Sequence, residues 1–364
     1  MEVKAQRRIQ NPAYLAHFFR GEEAHTSFGP IGYIGPASSK RLKGFLPFKV
    51  DSNSKVNLVD SLVGYAINAM RDPSTAYDNQ DLFYDRTRLS VRLITRNRNM
   101  ADLTQRLRHL QADVEATIPL NASESVIYVG HNFDERNSAC SSNAKYIEQQ
   151  ELVLAIHKGT LFAEKPTYSK GDLHNMGYHY CQPMAFGGSQ AEFQLHGQNG
   201  IMELAQLMKT TYNYDLDSAK RVITDPNNII SIIRYANDSK IQGIAAMGII
   251  ECTMVNVGNK TFGFAEITDT VVRTDDRKKG MGYPLHLTVT TEAIAHVASL
   301  PNRPDIVFSE STMDHPTVMI SSKRQGRTPV GFLPQHADIE NTPTNLVVMH
   351  VSDDALKSLN RPAF

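Results

Sequence analysis

The sequence predicts a mixed α/β protein of two domains, built mainly on antiparallel sheet. Three observations carry that prediction. The chain is 364 residues long, enough for two cores at about 150–200 residues each. Its composition is ordinary for a globular protein, with 41% hydrophobic and 21% charged residues, 22 Gly and 17 Pro. That disfavours disorder, collagen-like repeats and coiled coil. Strand-like and helix-like segments also alternate along the chain.

Charge and cysteine content narrow the function classes. Lys plus Arg number 38 and Asp plus Glu 38, a formal net charge of zero. A neutral chain offers no broad attraction to nucleic acid or anionic membrane, so neither partner is expected. Cys140, Cys181 and Cys252 are too few and scattered for a disulfide framework, which fits a reducing compartment. The N-terminal MEVKAQRRIQ lacks the apolar core of a signal peptide. The most apolar stretch, 241–250, is about half a membrane span. A cytoplasmic protein is expected.

The elements follow in chain order. Residues 28–36, FGPIGYIGP, read as loop from their Gly and Pro content. Residues 56–70 place Leu58, Leu62, Val63, Ala66 and Met70 near helical spacing. LSVRLIT (89–95) alternates like a strand, ADLTQRLRHLQA (101–112) reads as a helix, and SVIYV (125–129) as another strand. Together they suggest a βαβ-like unit. LHNMGYHYCQP reads as an irregular loop.

At Phe186-Gly187-Gly188-Ser189-Gln190 the chain turns small and flexible, before a strand-like AEFQLHG. The domain boundary is placed there, dividing 1–186 from 191–364. Beyond it, GIMELAQLMKTTY is a helix, and three apolar strands follow: NIISIIRYA, IQGIAAMGIIECTMV and TFGFAEITDTVV. The turns NDSK and VGNK join them into an antiparallel meander. A polar loop, RTDDRKKG, precedes a helix from about Met281 to Ala298, with Pro284 tolerated in its first turn. DIVFSES is a strand, His315–Arg324 a short helix, and PVGFLP and NLVVMHV are the last strands.

The loop-to-helix step carries the chemistry. In Arg277-Lys278-Lys279-Gly280-Met281-Gly282 the glycines let backbone approach a ligand closely. The start of the next helix offers N–H groups to an anion such as a pyrophosphate, and three cations lie beside it. Without context, the same residues read as a solvated turn leading into a helix.

Here the chain resembles the GCN5-related N-acetyltransferase (GNAT) superfamily. FAEITDTVVRTDDRKKGMG matches, with Arg277-x-x-Gly280-x-Gly282 standing as the family's acetyl-coenzyme A signature. The likeness spans about 192–350. It implies a GNAT-like C-terminal domain in which Val271 and Val272 hold the thioester arm. Arg277, Lys278, Lys279, Gly280, Met281 and Gly282 would bind the pyrophosphate through their amides. Glu266-Ile267-Thr268-Asp269 also resembles the β-lysine N-acetyltransferase subgroup.

Acyl transfer to an amine needs a neutral amine, a thioester and a proton source for the thiolate. The resemblance makes Glu266 the base or amine contact; a salt-bridged strand residue is the plainer reading. Asp269 joins it only if a bulge intervenes, because an ideal strand sends the two to opposite faces. Where many family members carry a Tyr as general acid, this chain has Ser322, a poor proton donor. Tyr283 is an alternative acid.

Three other features stand out in the sequence. His174, His179 and Cys181 are zinc-type ligands without an evident fourth, so ordinary loop residues are preferred and no metal is expected. Seven Arg (86, 88, 92, 96, 98, 106 and 108) accompany one acid, Asp102; they read as a solvated face rather than an anion site. Gly-Phe-Leu-Pro occurs at 44–47 and 331–334, and Arg41-x-x-Gly44 half-copies the signature. The N-terminal α/β domain is therefore either an accessory domain or a diverged second GNAT-like domain.

The leading expectation is an acetyl-coenzyme A-dependent N-acetyltransferase, by direct attack on a primary amine in a ternary complex. A small amine or amino acid is favoured over a protein lysine or N-terminus, and an oligomer is compatible. The alternative is a non-catalytic acyl-coenzyme A-binding regulator whose N-terminal half engages a partner.

Overall fold

The computed structural model describes residues 11–16, 33–34, 41–78, 80–133, 144–161, 167–185, 199–212, 214–237, 240–339 and 342–359. The boundary stretch 186–190, the strand candidate 191–197 and Cys140 lie outside these residues. The strands are β1 (Tyr33–Ile34), β2 (Arg41–Phe45), β3 (Arg88–Arg96), β4 (Asp113–Asn121), β5 (Glu124–Asn132) and β6 (Tyr178–Ala185). Then come β7 (Ile229–Asn237), β8 (Lys240–Val257), β9 (Lys260–Val272), β10 (Ile306–Thr312), β11 (Arg327–Ile339) and β12 (Thr342–Val351). The fold is mixed α/β with mainly antiparallel pairing, as the sequence predicts.

The chain packs into two compact units. The first comprises Met1–Gln150, Met254–Phe262 and Val330–Val348; the second comprises Glu151–Thr253, Gly263–Pro329 and Met349–Phe364. In the first, strand order runs β1-β2-β3-β5-β4-β11. The helix Asn53–Arg71 forms because Val56, Val59, Val63, Ala66 and Met70 recur at helical spacing and bury one stripe. That stripe packs with Leu42, Leu89, Val91, Leu93 and Val129 of the sheet.

A βαβ unit is present, but not between the expected strands. It is β2, this helix and β3, with β2 and β3 parallel from Arg41↔Arg88 to Phe45↔Arg92. β3 and β5 are antiparallel, because β4 intervenes in sequence and pairs with β5 as a hairpin.

In the second unit strand order runs β6-β7-β8-β9-β10. Helices Asn199–Tyr212 and Leu216–Thr224 cluster with Ile230, Ile232, Ile244, Met247 and Ile249 on one face. The helix Gly282–Ser299 clusters with Ile229, Ile250, Ala265 and Ile267 on the other.

Two expected loops are corrected. Residues 273–280 hold a short helix, Thr274–Lys278, with Asp275 and Asp276 in its first turn, where carboxylates suit the helix dipole. Residues 173–183 hold the end of a helix, Lys170–Asn175, and most of β6. Ser169 and Asp172 cap that helix reciprocally, and Gly177 turns the chain at φ 84. Among the described residues no helix is long and apolar enough to cross a membrane.

Candidate functional site

The site begins where two parallel strands part. β9 and β10 pair at Phe264↔Ile306, Ala265↔Val307, Glu266↔Phe308 and Ile267↔Ser309. The ladder stops there, although β9 runs on to Val272 and β10 to Thr312. Residues 268–272, with Val271 and Val272 among them, therefore lie beyond the last β10 partner. The parallel pair of the first unit does the opposite. It continues past its ladder, with Leu46 N–H donating to Arg92 O at 2.8 Å and Val50 N–H to Ile94 O at 2.8 Å.

Packing fixes which way the β9 side chains point. Ala265 and Ile267 cluster with Ala293, Ile294 and Val297 of the helix Gly282–Ser299. Val272 clusters with Leu285 and Val289 of that same helix. Val271 clusters instead with Leu204, Leu207 and Met208 of the helix Asn199–Tyr212. Strict alternation would put 265, 267 and 271 on one face. The strand therefore slips by one residue between Ile267 and Val271, as at a bulge.

Asp269 lies past the slip. Tyr214, which packs in the Val271 cluster, donates its hydroxyl to Asp269 Oδ2 at 3.2 Å. Glu266 points away from the Ala265 and Ile267 side, so both carboxylates share the face covered by Tyr214.

Asp269 is buried. Burial pushes its carboxyl up to about 7; the Tyr214 hydrogen bond opposes this, and the charge of Glu266 adds to it. The neighbouring Tyr212 donates its hydroxyl to Thr270 O at 2.7 Å.

After β9 the chain enters the glycine turn. Gly280 takes φ 80, a left-handed conformation that favours glycine, and Met281 stands as N-cap of the helix Gly282–Ser299. Four amides are used within the turn: Arg277 to Arg273 O, Lys279 to Asp275 O and Asp276 O, Gly280 to Arg277 O, and Met281 to Asp276 O. The first N–H groups of an α-helix have no intrahelical acceptor, and here they belong to Gly282 and Tyr283, since Pro284 has none. Arg277, Lys278 and Lys279 are exposed beside them. Arg277 also donates to Thr274 Oγ1 at 2.8 Å.

A second polar layer fixes how β8 meets this turn. Glu203 accepts from Ile244 N–H at 2.6 Å and from Arg273 Nη2 at 3.2 Å. Gly243 makes room, since a Cβ there would sit 2.8 Å from Glu203 Oε1.

Ser322 is fully buried in the helix Pro316–Arg324, and its hydroxyl has no hydrogen-bond partner among the described residues. The adjacent Ser321 Oγ lies 3.1 Å from His286 Nδ1. Burial, reinforced by the Arg327 charge, pushes His286 down to about 3, so it is neutral. Tyr283 is buried, with the Arg324 guanidinium 5.5 Å over its ring, and burial raises its phenol.

The remaining candidates resolve differently. The rings of His174 and His179 lie 6.5 Å apart, and among the described residues no three His, Cys, Asp or Glu gather as a metal site. Arg88 and Arg92 are not part of a solvated face. Arg88 is fully buried and donates to Glu115, His336 Nδ1, Asn132 Oδ1 and Pro334 O. Arg92 is buried over the Tyr128 ring at 4.8 Å. Sequence reading missed Tyr212, Tyr214, Glu203 and Asp276. Only the two tyrosines carried a signal, as large polar aromatics at and just after the end of an amphipathic helix.

No protein-family model matches the chain, and a comparison with curated proteins found no match. Several solved structures share part of its course. Arabidopsis thaliana NAA60 in complex with acetyl-CoA is 9% identical; the match covers 48% of this chain and 96% of that one, with a TM-score of 0.36. The NatC complex bound to Gag peptide and CoA is 10% identical, covering 48% and 98%, with a TM-score of 0.36. A Vibrio cholerae spermidine/spermine N-acetyltransferase, SpeG, is 10% identical, covering 51% and 100%, with a TM-score of 0.36. Scores this low leave function to be argued from the residues themselves.

Proposed function

We propose that the chain is an acetyl-coenzyme A-dependent N-acetyltransferase acting on a primary amine, with a small amine or amino acid as the favoured acceptor. The observation that supports it best is a juxtaposition. A parallel ladder opens at Ile267↔Ser309, and the strand that leaves it runs directly into Arg277-x-x-Gly280-x-Gly282 at the start of an 18-residue helix.

The donors present fit the cosubstrate. The amides of Gly282 and Tyr283 and the side chains of Arg277, Lys278 and Lys279 suit a pyrophosphate. The β10-facing edge of 268–272, beyond the last β10 partner and with Val271 and Val272 on it, suits an amide-rich arm. Acetyl-coenzyme A, when bound, supplies the activated acyl group. The protein must then deprotonate the ammonium of the acceptor and hold the amine in line. Asp269, pushed up to about 7, is matched to take that proton near neutral pH. Glu266, on the same face, attracts the cationic acceptor.

The proton for the departing thiolate has no carboxylic or phenolic donor assigned. Ser322, buried with an unpaired hydroxyl, can hydrogen-bond a thiolate without protonating it. That leaves a second reading open: a domain that binds acyl-coenzyme A and signals to a partner. Thiol release across a panel of primary amines separates the two. Amine-dependent release that falls in Glu266→Gln and Asp269→Asn supports the enzyme; tight binding with no release supports the regulator.

A further inference from the structure

Asp276 lies in the cofactor turn yet has no solvent exposure at all. Its Oδ1 accepts from Tyr178 Oη at 2.8 Å, and its Oδ2 accepts from Tyr235 Oη. The two phenols reach one carboxylate because Tyr178 and Tyr235 are direct partners in the β6–β7 ladder. Their rings are 6.0 Å apart. Burial, and then the carboxylate itself, holds both phenols above their ordinary range, so both stay protonated as donors. Lys279 Nζ lies 3.8 Å away, mostly in solvent, and contributes little.

The backbone of the same residue points the other way. Asp276 O accepts from Met281 N–H at 2.9 Å and from Lys279 N–H at 3.1 Å. Met281 is the N-cap residue, and its own carbonyl accepts the Leu285 N–H at 3.1 Å. One residue thus joins two strands to the first turn of the helix Gly282–Ser299.

We infer that Asp276 is a positioning residue: gripped by Tyr178 and Tyr235, it aims the helix start that would receive the pyrophosphate. This rests on the acetyl-coenzyme A reading of that helix start. The clamp sets direction rather than supplying charge, because its carboxylate is fully buried and holds two phenols. It also gives the buried Asp276 a role that the exposed Asp275 beside it does not share. A buried carboxylate can hold two hydroxyl donors at fixed geometry, which a solvated lysine cannot.

The test uses the full chain and two variants, Asp276→Asn and Tyr235→Phe. Amide hydrogen exchange without ligand is read first. Each variant is expected to speed exchange of the Lys279 and Met281 amides by about tenfold, the size of one lost charge-assisted hydrogen bond. Exchange in β10 should hold. Steady-state kinetics follow: KM for acetyl-coenzyme A rises, while kcat and KM for the amine stay near wild type. Unchanged exchange at the turn overturns the clamp, as does an equal loss of protection through the whole second unit. If Asp276→Asn fails to fold, Tyr235→Phe removes one hydroxyl only and decides alone. Wild-type protein that binds no coenzyme A defeats the cofactor reading and leaves the exchange result to judge the clamp.

Discussion

The phenol of Tyr214 stands 3.2 Å from Asp269, a carboxylate that burial pushes up to about 7. A base must be unprotonated to act, so kcat/KM should climb as pH rises through about 7 and then level. The Tyr214 hydrogen bond stabilises the charged form, which lowers the pKa. Tyr214→Phe should therefore move the acid limb to higher pH, and Asp269→Asn should lower turnover by roughly 10²–10⁴-fold. A limb that stays in place in Tyr214→Phe would remove Asp269 from the base role.

The same raised pKa costs stability. Unfolded Asp269 releases its proton near 3.8, whereas the folded residue keeps it to about 7. Between those values the folded state binds the extra proton, so stability falls as pH rises, by roughly 1.4 kcal/mol per pH unit from this group. Asp269→Asn should be more resistant to urea than wild type at pH 8, and the gap should close toward pH 4. Equal stabilities at both pH values would count against a buried, raised carboxylate.

Gly280 sits at φ 80 with open space around the position of a Cβ. Gly280→Ala therefore introduces backbone strain and no collision, at about 1–2 kcal/mol. Gly282→Ala differs, because its Cβ would meet Arg277 Cγ at 3.3 Å. Melting temperature should fall mainly in Gly280→Ala, while Gly282→Ala should weaken cofactor binding by displacing Arg277. The reverse pattern would mean that the glycines serve other purposes.

Arg88 and Glu115 form a buried pair in the first unit, with side chains 0% and 6% exposed. Removing one partner strands the other charge in the core, at about 3–5 kcal/mol. Arg88→Met should lose that much by urea denaturation, and pairing it with Glu115→Leu should recover a large part. A loss below about 1 kcal/mol would return Arg88 to the class of surface cations.

Elements with one clear period were legible in sequence. The helix Asn53–Arg71 and strands β3, β7 and β9 follow from their apolar residues, and the turn after β9 from Gly280 and Gly282, though not the short helix Thr274–Lys278 before it. β6 was not legible. Pro183 cannot donate to the ladder, and the β6–β7 register shifts between Cys181 and Met184, so its pattern is broken in the middle. The slip in β9 was hidden for a different reason. Nothing in Glu266-Ile267-Thr268-Asp269 marks a bulge; the slip shows only in how Ile267, Val271 and Val272 pack against helices on the two faces. Asp276 reads as one more solvated charge, since the tyrosines that bury it lie on β6 and β7, far away in sequence. Arg88 misled in the same sense, because its acid partner Glu115 lies 27 residues on in sequence, on a strand separated from β3 by β5 in the sheet.

Binding of acetyl-coenzyme A by the turn after β9 is tested most directly by calorimetric titration of the intact chain with that compound. The expected result is saturable binding at one site per chain, weakened by Arg277→Ala and further weakened by salt. Absence of binding at millimolar ligand, or binding that Arg277→Ala leaves unchanged, would contradict it.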